Sequence, residues 1–307
     1  MTKYDKQAYL IMAHADIRLL NALISALDSP YGDIFLHIDA KSTLHGSEVL
    51  RPRYSKIYFM EPMSVYWADY SQTECELRLL SFALSKGLHQ YFHLLSGADF
   101  PLMSSREIAA YYTGRDDIYL HYSTGANLNY CKGYVQYYHF FQPQLSSANR
   151  SHSFSPYKVL NALSLAVQKT LRVDRCKAHF YTPKKGANWF SIPRDFANYV
   201  VSEREIVYQR FRLTRSSDEF FMQTLAFESD EYRRRLYRFA EDDSYESCLR
   251  MIEWEEGAPH VYTNADYERL TSSGRFFARK FDSNIDFEII NRLMHRVRED
   301  GESAYGN

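Results

Sequence analysis

Tyr9-Leu10-Ile11-Met12-Ala13-His14 opens a stretch that runs through Leu19, Leu20, Leu23 and Leu27 to Asp33-Ile34-Phe35-Leu36-His37-Ile38-Asp39, and its reading decides the fold. Both apolar runs are short and closed by polar residues, as strands buried on two faces are. Between them leucines recur three or four positions apart, the spacing of one helix face, until Ser29-Pro30 stops the pattern. Strand, helix and strand in succession predict a βαβ unit with parallel strands.

Working outward, Lys56-Ile57-Tyr58-Phe59-Met60 predicts a third strand, and Ser71-x-x-Glu74 a capping box before Leu77, Leu79, Leu80 and Leu84. Tyr91-Phe92-His93-Leu94-Leu95 predicts a fourth strand. It runs into Ser96-Gly97-Ala98-Asp99-Phe100-Pro101, a small-residue turn that delivers Asp99 to a strand end, where open α/β sheets bind ligands. Ser104-x-x-Glu107 caps a further helix, with Asp99 as a rival cap, and Asp117 to His121 predicts a strand. The alternation then stops. From Thr124 to Tyr157 the chain is rich in Tyr, Ser and Gln with little periodicity, which predicts long loops around a short helix. Beyond it, Trp189 to Ile192 predicts a strand, Pro193 to Val201 and Asp218 to Ala226 predict helices, and Asn284 to Val297 an amphipathic closing helix.

An apolar fraction of 45%, a charged fraction of 24% and a net charge of -1 over 307 residues exclude a disordered or nucleic-acid-coating chain. The N-terminus shows neither a signal-peptide core nor a span of about twenty apolar residues, which predicts a cytoplasmic protein. Cys75, Cys131, Cys176 and Cys248 are far apart without metal-ligand spacing and read as free thiols. The 26 Tyr and 20 Phe against 3 Trp serve core and boundary packing, or a carbohydrate site where sugar faces stack on rings. Arg233-Arg234-Arg235-Leu236-Tyr237-Arg238 is a solvated helix face or a contact for anionic lipid at a membrane.

Two stretches carry chemistry. Ser216-Ser217-Asp218-Glu219-Phe220-Phe221 places carboxylates at a helix start, and Phe276-Phe277-Ala278-Arg279-Lys280-Phe281-Asp282 supplies a distant basic cluster, in a chain with no Asp-x-Asp. That pairing suits a sugar transferase that handles a nucleotide diphosphate without a metal. The plainer alternatives are acids at a helix N-terminus and, for Arg275, a solvated basic face.

Five blocks stand in one order: His37-Ile38-Asp39-Ala40-Lys41-Ser42, Ser96 to Pro101, Gly186-Ala187-Asn188-Trp189-Phe190, Asp218-Glu219, and Phe277 to Asp282. Together, from about residue 8 to 295, they resemble the core-2/I-branching N-acetylglucosaminyltransferase family, which includes the peptide-O-xylosyltransferases. Trp67 with Ser71 and Leu77 adds a weaker block. The resemblance implies a GT-A-type fold with a Rossmann-like mixed sheet, an inverting mechanism, a UDP-sugar donor, a glycan or lipid-linked acceptor and no metal or other cofactor. It implies one domain over residues 1–307, with a nucleotide-binding half to about 123 and an acceptor-binding and catalytic half from about 124. The chain looks like a bacterial cytoplasmic member, which points to capsule, exopolysaccharide or lipopolysaccharide synthesis. N-acetylglucosamine is the expected sugar, with xylose, galactose or glucose as alternatives, and a non-catalytic carbohydrate-binding protein on the same fold as the competing class.

Carried over by motif, Glu219 is the general base and Lys280, with Arg279, the diphosphate site. Asp39, His37 and Lys41 are placed at the uridine with His14, and Asp99 near the donor sugar. Trp189, Trp254 and Asp218 fall on the acceptor side. Turn-stabilising parts for His14, His37, Asp39 and Lys41, and a core part for Trp254, stay open. The family's Pro-Arg/Lys-x-aromatic-Thr segment reads Pro259-His260-Val261-Tyr262-Thr263 here, so His260 stands where a permanent cation is expected.

Overall fold

Strand β1, Gln7–Ala13, divides its side chains between two cores, as a period of two requires. Tyr9, Ile11 and Ala13 enter one apolar cluster, Ala8 and Leu10 the other. Helix α1, Ile17–Leu27, covers the first face with Leu19, Leu20, Leu23 and Leu27, all fully buried, each side chain contributing about 2 kcal/mol. The computed structural model describes residues 4–123, 125–151, 155–179, 181–240 and 244–302.

The expected βαβ unit is there: β2, Gly32–Ile38, runs parallel to β1 with Ala13 opposite Ile38. Beside β2 lies β3, Ile57–Phe59. Helix α2, Tyr70–Lys86, covers the second face, and β4, Tyr91–Ser96, joins the other side of β1 in parallel. After β5, Asp99–Pro101, and α3, Ser105–Tyr112, the short β6, Tyr119–Leu120, reaches the sheet edge. Strand β7, Phe190–Pro193, inserts antiparallel between β4 and β6, giving the order β3-β2-β1-β4-β7-β6. The closing helix, Glu288–Glu302, packs Ile289, Ile290 and Leu293 into the α1 cluster. This is a mixed α/β fold, a central mixed sheet flanked by helices, as a GT-A-type, Rossmann-like architecture requires.

Strand β8, Arg250–Ile252, is followed by a two-stranded ribbon of β9, Trp254–Glu255, and β10, Ala258–Pro259. The last strand, β11, Phe277–Arg279, lies between β5 and β8 and sets Arg279 opposite both Asp99 and Ile252. Arg250, only 2% exposed, ties this small sheet to the large one by donating to the carbonyls of Phe190 (2.9 Å) and Leu94 (3.4 Å).

Three expectations change. The Ser104 and Glu107 capping box forms, but α2 is capped by Asp69, which accepts from the Ser71 amide at 2.9 Å, because the Ser71 hydroxyl is taken by the Tyr66 amide. The helix expected from Asp218 is a 3-10 turn, Ser217–Glu219, followed by a helix at Phe221–Glu228. The largest change is between Thr124 and Tyr157. Thr124 and residues 152–154 lie outside the described residues, but the remainder forms α4, Gly125–Gln136, α5, Gln142–Ser151, and the start of α6, Pro156–Thr170. Helix α4 turns Leu128, Cys131 and Val135 into the second core, but among Tyr, Asn, Lys, Gly and Gln, and the one residue α6 buries is Gln168, so the spacing that betrays a core-facing helix is short in one and replaced by a polar contact in the other. All four cysteines are free thiols, and no described helix is long and apolar enough to cross a membrane.

Candidate active site

Parallel strands bring their C-terminal ends to one sheet edge, and the expected donor residues gather there. The Asp39 amide donates to Ala13 O at 2.9 Å and the Gly97 amide to Met12 O at 2.9 Å, so the chain exits of β1, β2 and β4 are tied together. His14 is exposed, and its carbonyl accepts from the Ser42 hydroxyl at 2.8 Å. Asp39 binds the Lys41 ammonium at 2.7 Å; burial opposes the charge of Asp39, but Lys41 outweighs it and holds the carboxyl below its usual range. His37 is 1% exposed and faces the Met63 backbone at 3.1 Å, with burial lowering its pKa. That places the ring behind the strand end rather than in the cleft.

The basic stretch arrives at the same edge. Asp16 caps α1 through Leu19 N at 3.0 Å and also accepts from Ser283 N at 2.9 Å, clasping the segment after Lys280 to the exit of β1. Asp99 is 2% exposed and accepts from Ser96 N at 2.8 Å and from the Arg279 guanidinium at 2.8 Å. It therefore closes the Ser96 turn and does not cap α3. Arg279 also donates to the Ser96 hydroxyl and lies 4.7 Å from the centre of the Trp189 ring. Arg275 turns away to Glu246 at 3.0 Å. The half-buried Lys280 is different: among the described residues its ammonium has no hydrogen bond or ion pair.

His260 is held between Glu255 at 2.9 Å and Asp266 at 3.2 Å, and these bonds, Glu255 foremost, raise its pKa against a smaller opposing effect of burial. The ring favours its cationic form, yet two carboxylates already answer that charge. His260 thus brings no uncompensated charge to the Pro259 to Thr263 segment.

Glu219 sits at the end of the 3-10 turn with about a third of its side chain exposed, and its Oε2 pairs with Lys185 at 2.9 Å. Its Oε1 has no hydrogen-bond partner among the described residues, which leaves it open to an acceptor hydroxyl. Lys185 is 8% exposed; burial opposes its charge, but Glu219 outweighs that and raises its pKa. The sequence reading missed Lys185, although it stands immediately before the Gly186 to Phe190 block. Gly186 donates to Glu219 O at 2.9 Å, and a Cβ there would meet His121 O at 1.7 Å, so only glycine fits. Residues 185–189 therefore touch the carboxylate at one end and Arg279 at the other. Trp254, 57% exposed, donates its Nε1 to the Tyr245 hydroxyl at 2.7 Å, and Tyr245 packs on His121. Lys185 and Glu219 are near enough to act on Tyr245, whose pKa burial raises.

Asp218, expected with Trp189 and Trp254 on the acceptor side, turns inward. It is 5% exposed, turned into the core against α2, where Gln72 donates to it at 3.1 Å. Burial, with the neighbouring charge of Glu219, pushes its pKa up to about 8. Glu76 beside it is fully buried and raised in the same direction, and neither of its oxygens has a hydrogen-bond partner of good geometry. Folding thus takes up protons at this pair. The stability Asp218 contributes is complete below the ordinary carboxylate range and declines as pH rises towards its folded pKa. Asp218→Asn removes the decline, so thermal melts are expected to show a stabilisation that grows from pH 5 to pH 8, on the order of 3 kcal/mol at the upper end. A pH-independent change would mean that the carboxyl is not held protonated.

Among the described residues no group of three or more His, Cys, Asp or Glu is arranged to hold a metal ion. A cavity of about 210 Å³, lined by Trp67, His139, Ser146, Lys158 and Arg215 among others, adjoins the base segment through Arg215.

The family described as Branch, Core-2/I-Branching enzyme, matches residues 7–273. The chain belongs to the core-2/I-branching enzyme family. It is 23% identical to a beta-1,3-galactosyl-O-glycosyl-glycoprotein beta-1,6-N-acetylglucosaminyltransferase of Bos taurus, over 95% of this chain and 69% of that protein. It is 24% identical to the beta-1,3-galactosyl-O-glycosyl-glycoprotein beta-1,6-N-acetylglucosaminyltransferase 4 of Danio rerio, with the same coverage. An N-acetyllactosaminide beta-1,6-N-acetylglucosaminyl-transferase of Homo sapiens is 24% identical over 95% of the chain and 72% of its own length. This core-2/I-branching enzyme is accordingly a glycosyltransferase. The family match stops before Lys280 and does not reach the Phe277 to Asp282 block.

Proposed function

We propose that this glycosyltransferase moves N-acetylglucosamine from UDP-N-acetylglucosamine to a hydroxyl of a glycan or lipid-linked saccharide, with inversion and with fixed cations rather than a metal ion at the diphosphate. One observation carries the reading: residues 185–189 join the Glu219 carboxylate to the Arg279 side of the strand-end cleft. Inverting transfer needs a single carboxylate at the attacking hydroxyl and a positive field at the departing phosphates. Here Glu219 takes the hydroxyl's proton as its oxygen attacks the anomeric carbon from the face opposite UDP. Lys280 steadies the charge that grows on the β-phosphate, and Asp99 holds Arg279 in place beside it. Trp189 and Trp254 offer ring faces to the sugars. The sugar assignment follows the names of the relatives. Those relatives are vertebrate enzymes, so the bacterial pathway and cytoplasmic location expected from the sequence draw nothing from them.

The test is donor turnover with UDP-N-acetylglucosamine, UDP-xylose, UDP-galactose and UDP-glucose, each with EDTA present. Hydrolysis or transfer highest with UDP-N-acetylglucosamine and unchanged by EDTA is the expected result. Activity lost to EDTA and restored only by Mn²⁺ or Mg²⁺ contradicts the cationic mechanism, and a preference for another sugar corrects the donor.

A further inference from the structure

Helix α6 is built inside out. The one residue it buries is polar, with Leu165 half-buried beside it: Gln168, 7% exposed, donates to Tyr138 O at 3.0 Å and Ser164 Oγ at 3.1 Å and accepts from Tyr138 N at 2.7 Å. Its outward side is aliphatic. Leu160, Leu163, Val167 and, just past its end, Leu171 follow the spacing of one helix face and are 46%, 58%, 56% and 70% exposed. An exposed apolar row of this kind marks a surface that meets something other than water.

Charge says what it meets. From Ile118 to Val173 the sequence holds no Asp or Glu, while Lys132, Arg150, Lys158, Lys169 and Arg172 are cationic. Lys169 and Arg172 have no ion pair among the described residues. Half of the arginine run, the sequence's own candidate for a lipid contact, is answered by acids: Arg233 pairs with Asp230, and Arg235 with Asp195 and with Asp116 at 3.4 Å.

We propose that the outward face of α6 seats this enzyme on an anionic lipid bilayer. Leu160, Leu163, Val167 and Leu171 enter the boundary between headgroups and acyl chains, and Lys169 and Arg172 lie over the anionic headgroups. A second protein surface would need acids of its own to match this stretch, whereas an anionic leaflet offers both the charge and the apolar depth. The inference stands apart from the donor, acceptor and metal chemistry proposed above.

Flotation of the full chain with vesicles of phosphatidylglycerol and phosphatidylethanolamine, against vesicles of phosphatidylcholine alone, tests it. Binding is expected only to the anionic vesicles and is weakened by salt. The triple substitution Leu160→Gln, Leu163→Gln, Val167→Gln keeps good helix formers on an exposed face, so the melting temperature is expected to hold while binding falls about tenfold or more. Lys169→Glu with Arg172→Glu is expected to lower it about tenfold as well. Equal binding to neutral vesicles, no vesicle binding, or binding indifferent to the triple substitution overturns the proposal. A concentration-dependent dimer that the triple substitution dissolves, without vesicle binding, reassigns the face to a contact between copies and overturns it equally.

Discussion

Glu219→Gln is expected to reduce transfer by about a thousandfold while leaving UDP affinity within a few fold of the unsubstituted enzyme. The substitution keeps the shape of the side chain and removes only its ability to take a proton. In the resting site Oε2 is held by Lys185 at 2.9 Å, which fixes the direction in which Oε1 faces the cleft. The amide of Gln keeps an acceptor oxygen for the lysine, so the 185–189 segment stays in place and the strand ends of β1, β2 and β4 in the large sheet, and of β11 in the small one, are untouched. Turnover and calorimetry with UDP separate the two effects. Loss of UDP binding in parallel with activity would place Glu219 in the nucleotide site instead. Retained turnover would move the base elsewhere.

How much of this was legible in the sequence depends on what each residue packs against. The β1-α1-β2 unit could be read because both strands are buried on two faces and α1 sets a leucine row inward. The helices between Gly125 and Thr170 could not, and α6 shows why: the one residue it buries is Gln168, with Asn161, Ser164 and Leu165 half-buried beside it, while Leu160, Leu163 and Val167 are exposed. Periodicity reports where apolar residues recur, not which way they face. The site divides along the same line. Asp39, Asp99 and Arg279 could be anticipated because strand ends gather at one edge. Lys185 could not, because its partnership with Glu219 joins positions distant in sequence, and nothing local distinguishes it from Lys184. The motif alone carries Asp218 to the acceptor side, but in a turn of three residues per repeat neighbouring side chains diverge, and Asp218 goes into the core.

Lys280→Met is expected to cost about a hundredfold to a thousandfold in kcat/KM, most of it in kcat, and to weaken UDP binding by a smaller factor. The reason lies in what the other cations already do. Lys41 is paired with Asp39, Arg279 with Asp99, Arg275 with Glu246, and His260 sits between Glu255 and Asp266. Each is already paired with a carboxylate before any phosphate approaches. Of the cations the sequence put forward for the diphosphate, Lys280 alone brings a charge without an acidic partner among the described residues. Charge on the β-phosphate grows as the sugar bond breaks, so an uncompensated ammonium held there stabilises the transition state more than bound UDP-sugar. Lys280→Arg keeps the charge on a bulkier, planar head and is expected to recover part of the activity. Arg279→Met tests the contrast, since it removes a guanidinium committed to Asp99 and Ser96 and is expected to act chiefly by loosening the turn that carries Asp99. If Lys280→Met leaves kcat intact and raises only KM, the lysine binds substrate and transition state alike, and the field at the leaving group comes from elsewhere in the cleft.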